Sequence, residues 1–120
     1  MGNKLVYNVR YYDTGNKLCE HWFQNDILHR LDGPAVILYD ENGYKSYERW
    51  YQNGKPHRLD GPALINYNNG SVLYGIWYHK GIQLTNLEIK NIYVSNILPS
   101  LEPYFDEIRL VSIVINYIIE

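Results

Sequence analysis

The chain carries an internal repeat. The heptapeptide His-Arg-Leu-Asp-Gly-Pro-Ala occurs at residues 29–35 and again at residues 57–63. Trp22 and Trp50 are separated by the same interval. Self-similarity at a period of this size is typical of arrays that stack copies of one supersecondary unit. We therefore expect residues 8 to about 85 to hold roughly two and a half copies of one unit.

The third copy is shorter than the first two. Trp77 comes one position earlier than the repeat requires, because one residue is missing from the turn that ends at Gly70. Where a third His-Arg-Leu-Asp segment is due, residues 84–86 read Leu-Thr-Asn. We expect the repeat to end near this point and residues 86–120 to form a different structure.

Each copy contains two strand signals. Residues 35–39 and 63–67 are short runs rich in strand-forming residues, with Ala, Ile and Tyr at alternate positions. Alternate residues share one face of a strand, so this Ala/Ile/Tyr column is expected to be buried. The second strand of the unit is expected at residues 17–23, 45–51 and 72–78.

Turn signals separate these strands. Asn-Gly occurs at residues 42–43, 53–54 and 69–70, and this dipeptide supplies the positive φ angles of two-residue hairpin turns. Asp-Gly-Pro at residues 32–34 and 60–62 marks a second turn, in which the proline blocks ladder pairing. The alternation of strands and tight turns predicts an antiparallel sheet of sequence-adjacent strands, and thus a mainly β (α+β) fold.

Residues 50–63 hold the most complete copy, Trp-Tyr-Gln-Asn-Gly-Lys-Pro-His-Arg-Leu-Asp-Gly-Pro-Ala. This segment resembles the MORN-like β-hairpin repeats, and it looks more like the repeats reading Trp-Tyr-x-Asn-Gly-x-x-His-Arg-x-Asp-Gly-Pro-Ala in phage and giant-virus proteins. The first copy departs from that pattern at Asp26, and the third lacks the His-Arg-x-Asp part. The resemblance implies an antiparallel MORN-like repeat sheet whose surface binds other molecules, and it implies little about chemical activity.

The residues after the repeat are expected to form a mostly helical cap, within a single domain of residues 1–120. A helix is predicted over residues 87–97, with Thr85 near its start and Pro99 beyond its end. Ser100 can cap a second helix, because apolar residues recur at helical spacing after it.

Residues 111–119 leave two alternatives open. They are rich in β-branched side chains, so both helix and strand are compatible with them. Their apolar surface can cover the sheet, since repeat arrays need atypical terminal caps. It can also form a homodimer, in which the second chain contacts Leu110, Val114 and Tyr117.

The charge balance makes some partners improbable. The formal net charge is −2, which gives no general reason to bind extended nucleic acid or an anionic membrane. The sequence has no run of about 18 apolar residues, so no membrane-spanning helix is expected.

Cys19 is the single cysteine, and residues 1–10 lack the apolar core of a signal peptide. These features predict a reducing compartment, the cytoplasm of the host cell.

The repeated histidines are the candidates for catalysis or metal binding. His29 and His57 each precede an aspartate by three residues, and two such pairs could form a metal site or act on a phosphoester. A residue present in both complete copies is explained more simply by the junction between units, with each arginine paired to the aspartate and each histidine packed on a ring. We therefore expect a structural role for His29, Arg30, Asp32, His57, Arg58 and Asp60.

Other candidates for chemistry are weak. The carboxylates Asp40, Glu41 and Glu48 are expected in turns or on strand surfaces, where nothing indicates a raised pKa. No motif predicts an enzyme, a metal or a cofactor.

Aromatic residues supply the binding surface that the sequence predicts. Tyrosine and tryptophan are rigid, amphipathic and enriched where proteins meet partners. Alternation along the second strand of each unit places several rings and one arginine on the face opposite the tryptophans. The predicted binding residues are Phe23, Tyr47, Arg49, Tyr51, Tyr74 and Tyr78. The alternative is that these rings pack across strands or under the C-terminal segment.

Together these patterns favour a non-enzymatic binding protein. The resemblance and an analogy with small viral inhibitors point to a phage or viral protein that blocks a host protein, with counter-defence of the anti-CRISPR kind as the concrete expectation. A second hypothesis is a sponge for a small nucleotide, because aromatic rings and arginine stack on bases. A third is a phosphoesterase or metal protein built on the two histidines.

Overall fold

A computed structural model of the chain describes residues 2–97. The chain divides into two compact units, Met1–Gln83 and Leu84–Glu120. The predictions for the second helix, for residues 111–119 and for the homodimer contacts lie outside the described residues. The described elements are β1 Leu5–Tyr11, β2 Lys17–Gln24, β3 Ile27–Leu28, β4 Val36–Tyr39, β5 Lys45–Arg49, β6 Tyr51–Gln52, β7 Lys55–Pro56, β8 Leu64–Asn68, β9 Ser71–Ile76, β10 Tyr78–His79, β11 Ile82–Gln83 and α1 Asn86–Ile97.

The longer strands of the first unit form one antiparallel sheet. Its order is β1-β2-β4-β5-β8-β9, and β3 pairs with the end of β2. Every pair of neighbours is antiparallel, which confirms the mainly β class. The neighbours are not all consecutive strands as predicted, because β3 lies between β2 and β4 in the chain and the ribbon β6–β7 lies between β5 and β8. Among the described strands, β1 and β9 are the two edges of this sheet.

The second strand of the unit is interrupted in the later copies, whereas the sequence predicts continuous strands there. The interruptions fall at Trp50 and Trp77, after which the chain continues into the ribbons β6–β7 and β10–β11. The ribbons leave the sheet because their turns bond to the preceding hairpin instead. Gly54 N donates to Leu28 O at 2.9 Å, and Gly81 N donates to Pro56 O at 2.8 Å.

The hairpin turns follow the sequence, with one difference. Asn69 and Gly70 both have positive φ, 49° and 84°, as a two-residue turn with two left-handed positions requires. At Asn42-Gly43 only the glycine has positive φ, and Gly43 N donates to Asp40 O. That loop is therefore one residue longer than predicted, and the residue missing from the third copy converts it into the shorter turn.

The Ala/Ile/Tyr column forms the centre of the sheet core. Ala35 and Ala63 are completely buried, and Ile37 and Ile65 are 6% and 8% exposed, which confirms the predicted buried face. Cys19 lies on the opposite face and is buried too. Burying small and β-branched side chains between neighbouring strands is the main apolar contribution to this sheet.

The described part of the second unit contains the helix that the sequence predicts. The hydroxyl of Thr85 accepts a hydrogen bond from Glu88 N at 3.2 Å, and a Glu88 oxygen accepts one from Thr85 N at 3.3 Å. This reciprocal pair is a capping box, which satisfies two backbone donors at the start of α1. Within residues 2–97, no helix is long and apolar enough to cross a membrane.

Candidate functional site

Two arginines hold the Asp-Gly-Pro turns against the sheet. Arg58 Nε donates to Asp60 Oδ1 at 2.9 Å, and Arg58 Nη1 donates to Pro62 O at 3.2 Å. The guanidinium also lies over the Trp50 ring, with Cζ 3.9 Å from the ring centroid. A Cβ on Gly61 would stand 2.8 Å from Arg58 Cζ, so only glycine leaves room for this stack. The arginine therefore occupies the place on the ring that was expected for the histidine.

The first copy of the repeat has the same arrangement. Arg30 Nε donates to Asp32 Oδ1 at 3.0 Å, and Arg30 Cζ lies 3.8 Å from the centroid of the Trp22 ring. The Tyr7 ring contacts the same tryptophan, with the two ring centroids 4.8 Å apart. The Trp22 and Trp50 rings are thus each in contact with an arginine of the protein itself.

The repeated histidines bind the backbone of the next hairpin. His29 Nδ1 accepts a hydrogen bond from Asn53 N at 2.9 Å, and His57 Nδ1 accepts one from Lys80 N at 2.9 Å. An imidazole nitrogen accepts only when it is unprotonated, so each bond requires the neutral histidine. Burial, together with His79 and Lys80 nearby, lowers the pKa of His57 from its usual 6.5.

Two buried glutamates join neighbouring units, although Glu48 was expected on the surface of a strand. Glu48 is 7% exposed and accepts hydrogen bonds from the Tyr67 hydroxyl at 2.8 Å and from Lys45 Nζ at 3.0 Å. Burial alone would raise its pKa, but these bonds hold the pKa of Glu48 below the usual 4.5. Burial and the bond to Glu48 raise the pKa of Tyr67 to about 12.

Glu20 occupies the equivalent place in the first copy of the repeat. It accepts hydrogen bonds from Tyr39, from the Tyr7 hydroxyl at 2.6 Å and from Lys17 Nζ at 3.1 Å. The signal for this pair of sites was available, because Glu20 and Glu48 hold the same position in successive copies of the repeat. It was missed because alternation assigns a residue to a face and does not reveal what covers that face.

Three of the predicted binding residues come together on the face opposite the glutamates. Arg49 Cζ lies 4.1 Å from the centroid of the Tyr47 ring, and Arg49 Nη1 donates to Asn66 Oδ1 at 3.0 Å. Asn66 Nδ2 in turn donates to the Tyr74 hydroxyl at 2.6 Å. These four residues, which we call the β5–β9 patch, link three adjacent strands in one network. Asn66 was not among the predicted binding residues.

The other predicted binding residues lie elsewhere. Phe23 is on β2, where its ring stacks with His21 at a centroid distance of 6.1 Å. Tyr51 and Tyr78 lie in the two ribbons instead of the sheet, and their carbonyl oxygens accept hydrogen bonds from Arg30 N and Arg58 N. The single aromatic face expected from the sequence is therefore divided among two parts of the sheet and the ribbons.

The edge strand β9, which carries Tyr74 of the patch, exposes a run of apolar side chains. Val72, Leu73 and Tyr74 are consecutive and are 65%, 62% and 50% exposed. The strand reads Ser-Val-Leu-Tyr-Gly-Ile and carries no charged residue. The opposite edge, β1, carries the exposed Arg10.

The described residues offer little for metal chemistry. Within residues 2–97, no three His, Cys, Asp or Glu side chains are grouped as a metal ion would need. No family model, curated protein or solved structure matches the chain.

Proposed function

We propose that this chain is a non-enzymatic binding protein whose partner protein adds an extended strand to β9. The observation that carries the proposal is the exposed, uncharged edge formed by Val72, Leu73 and Tyr74. An edge strand presents a row of backbone N–H and C=O groups, and natural proteins usually protect such an edge with charge, proline or a covering segment. β9 has neither charge nor proline, so its edge suits a partner strand.

The β5–β9 patch supports the same proposal from the side chains. Backbone pairing gives affinity to a strand that joins a sheet edge, and pockets or rings beside the edge give specificity. Tyr74 stands on the edge strand itself, and its hydroxyl is held by Asn66, which is held by Arg49. A ring that is already positioned loses little conformational freedom when a partner covers it.

The proposal includes the narrower expectations raised by the sequence. MORN-like repeats mostly serve as binding surfaces, and membership of that group would agree with a role in binding. A phage or viral inhibitor of a host defence protein is the specific case that we favour. A nucleotide sponge is the alternative outcome, although Arg49, the residue expected to contact the base, is engaged by Tyr47 and Asn66.

Selection from a library of displayed peptides tests strand addition directly, whatever the natural partner is. We expect enriched peptides with alternating apolar residues. Their affinity should fall about tenfold or more for Leu73→Lys, because a charge on the edge opposes strand pairing. The matched control is Leu5→Lys, which places the same charge on the other edge at a residue that is 74% exposed.

Hydrogen exchange of the complex distinguishes edge pairing from docking on a face. Strand addition should slow exchange of the outward backbone amides of β9 and leave those of β1 unchanged. Equal binding by Leu73→Lys and the unsubstituted protein would refute the proposal. A melting temperature that rises with one nucleotide, and no longer rises in Arg49→Ala, would replace it with the sponge.

A further inference from the structure

The two junctions between repeat units are built on the same scaffold. At the first, His29 Nδ1 receives the N–H of Asn53, and at the second, His57 Nδ1 receives the N–H of Lys80, both at 2.9 Å. Both donors have positive φ, 52° for Asn53 and 49° for Lys80. The first junction therefore shows which side chains the scaffold needs.

The second junction carries two lysines that the first one lacks. Lys55 stands where Ile27 stands one repeat earlier, and Lys80 stands where Asn53 stands. Ile27 packs against Gly54, and the methylene groups of Lys55 pack in the same way against Gly81, with Cδ 3.4 Å from the point where a Cβ would lie. The stem of Lys55 thus packs as the isoleucine does, and its ammonium group is additional.

A cavity of about 250 Å³ lies at these lysines. It is lined by Gln52, Asn53, Lys55, His57 and Lys80, and no carboxylate is among them. The carboxylates Asp32 and Asp60 line the neighbouring cavity, which shares Gln52 and His57, and Asp60 is paired with Arg58. The lining therefore offers two cations, an imidazole and two amides.

A positive charge on His57 is disfavoured by the neighbouring charge of Lys80. Burial is the main reason that the pKa of His57 is lowered, and the charges of His79 and Lys80 lower it further. The first junction forms with Ile27 and Asn53 in the equivalent places, so the fold does not require the lysines. An anionic ligand would convert this unfavourable grouping into charge-assisted hydrogen bonds.

We propose that the cavity between the second and third repeat copies binds a phosphate group, held by Lys55, Lys80 and His57. Lysine is a common phosphate ligand in proteins, acting as a point charge with several donors. Inorganic phosphate and a phosphate monoester share the chemistry that this site recognises. The site is separate from β9, and neither proposal depends on the other.

The test is a titration with inorganic phosphate, followed by NMR of the histidine rings and compared with sodium chloride at equal ionic strength. We expect saturable shifts at His57. The double variant Lys55→Ile/Lys80→Asn, which gives the second junction the residues of the first, should bind at least about tenfold more weakly. Because those residues already stand at an equivalent junction, its melting temperature should stay close to that of the unsubstituted protein.

The control is Lys4→Gln, which removes one positive charge, against two in the double variant, from an exposed position outside the cavity. Equal weakening by Lys4→Gln, or equal shifts with chloride, would mean general charge attraction and would overturn the site. Unchanged binding by the double variant would overturn it as well. A parallel titration with glycerol phosphate identifies the source, because tighter binding of the ester assigns the site to a phosphomonoester and tighter binding of phosphate assigns it to the free ion.

Discussion

A buried carboxylate needs several donors, and Glu48 shows how a single residue joins two units of the repeat. Its neighbour across the junction is Tyr67, which belongs to the next unit and reaches back to donate a hydrogen bond. Ionised carboxylates removed from water are tolerated only when such partners compensate the lost hydration. In the third copy the equivalent residue is Gly75. Glutamate is thus found in the two copies whose next copy supplies a tyrosine to bond it.

The Tyr67→Phe variant tests this junction at one atom. Removing the hydroxyl leaves Glu48 buried with one donor fewer, so the free energy of unfolding should fall by about 1–3 kcal/mol. The matched control is Tyr11→Phe, because Tyr11 occupies the equivalent column but is 56% exposed and lies on the edge strand. Urea denaturation of both variants measures the difference. Equal loss in the two would show that the bond to Glu48 adds nothing.

At the scale of elements, the ribbons explain why the chain leaves the sheet at Trp50 and Trp77. Each ribbon is only two residues long on each side, and an isolated hairpin of this size is marginal in water. Hydrogen bonds to the neighbouring hairpin supply the stability that the ribbon lacks, since each turn bonds to the preceding hairpin and to a histidine ring nitrogen. The hairpins are therefore ordered by their neighbours and not by their own strands.

The bond to His57 makes the last ribbon sensitive to acid. Because burial, His79 and Lys80 lower the pKa of His57 in the folded chain, the unfolded chain binds more protons near pH 6.5. The contribution of this bond is full above about pH 6.5 and is lost as the pH falls through the lowered pKa. Urea denaturation between about pH 7.5 and about pH 5.5 should show falling stability.

The His57→Asn variant removes this titration while keeping a side-chain acceptor. Its stability should vary less than that of the unsubstituted protein over the same pH interval. His21→Asn is the comparison, because it makes the same substitution on β2, outside the junction. If His57→Asn keeps the full slope, the pH dependence has another origin.

The parts of the fold that could be predicted from the sequence are those that local spacing determines. The repeat predicted the strands, and alternation predicted the burial of Ala35 and Ile65. The interruption at Trp50 could not be predicted, because the ribbon that follows it bonds to the preceding hairpin, as Gly54 N does to Leu28 O, and strand propensity contains no such information. The contacts of Arg49 with Asn66 also depend on the register between β5 and β8, which a single strand does not reveal.

At the scale of the whole compact unit Met1–Gln83, the same kind of junction between repeat copies occurs twice along the sheet. Glu20 is bonded by Tyr39, and Glu48 is bonded by Tyr67, so each glutamate ties one unit to the next. Stability in such an array is approximately a sum of unit and junction contributions. A change that removes both junctions should therefore act on the whole sheet and not on one hairpin.

Acid weakens both glutamate junctions together, because the pKa values of Glu20 and Glu48 are both held below 4.5 in the folded chain. The unfolded chain binds the additional protons, so the stability due to these residues is full above about pH 4.5 and is lost below it. Glu48→Gln should lower the free energy of unfolding by about 1–3 kcal/mol at neutral pH, and the difference from the unsubstituted protein should shrink as the pH approaches about 3. Glu41→Gln is the control, because it makes the same substitution in an exposed turn outside the junctions. A difference that stays constant with pH would show that Glu48 acts by packing and not by charge.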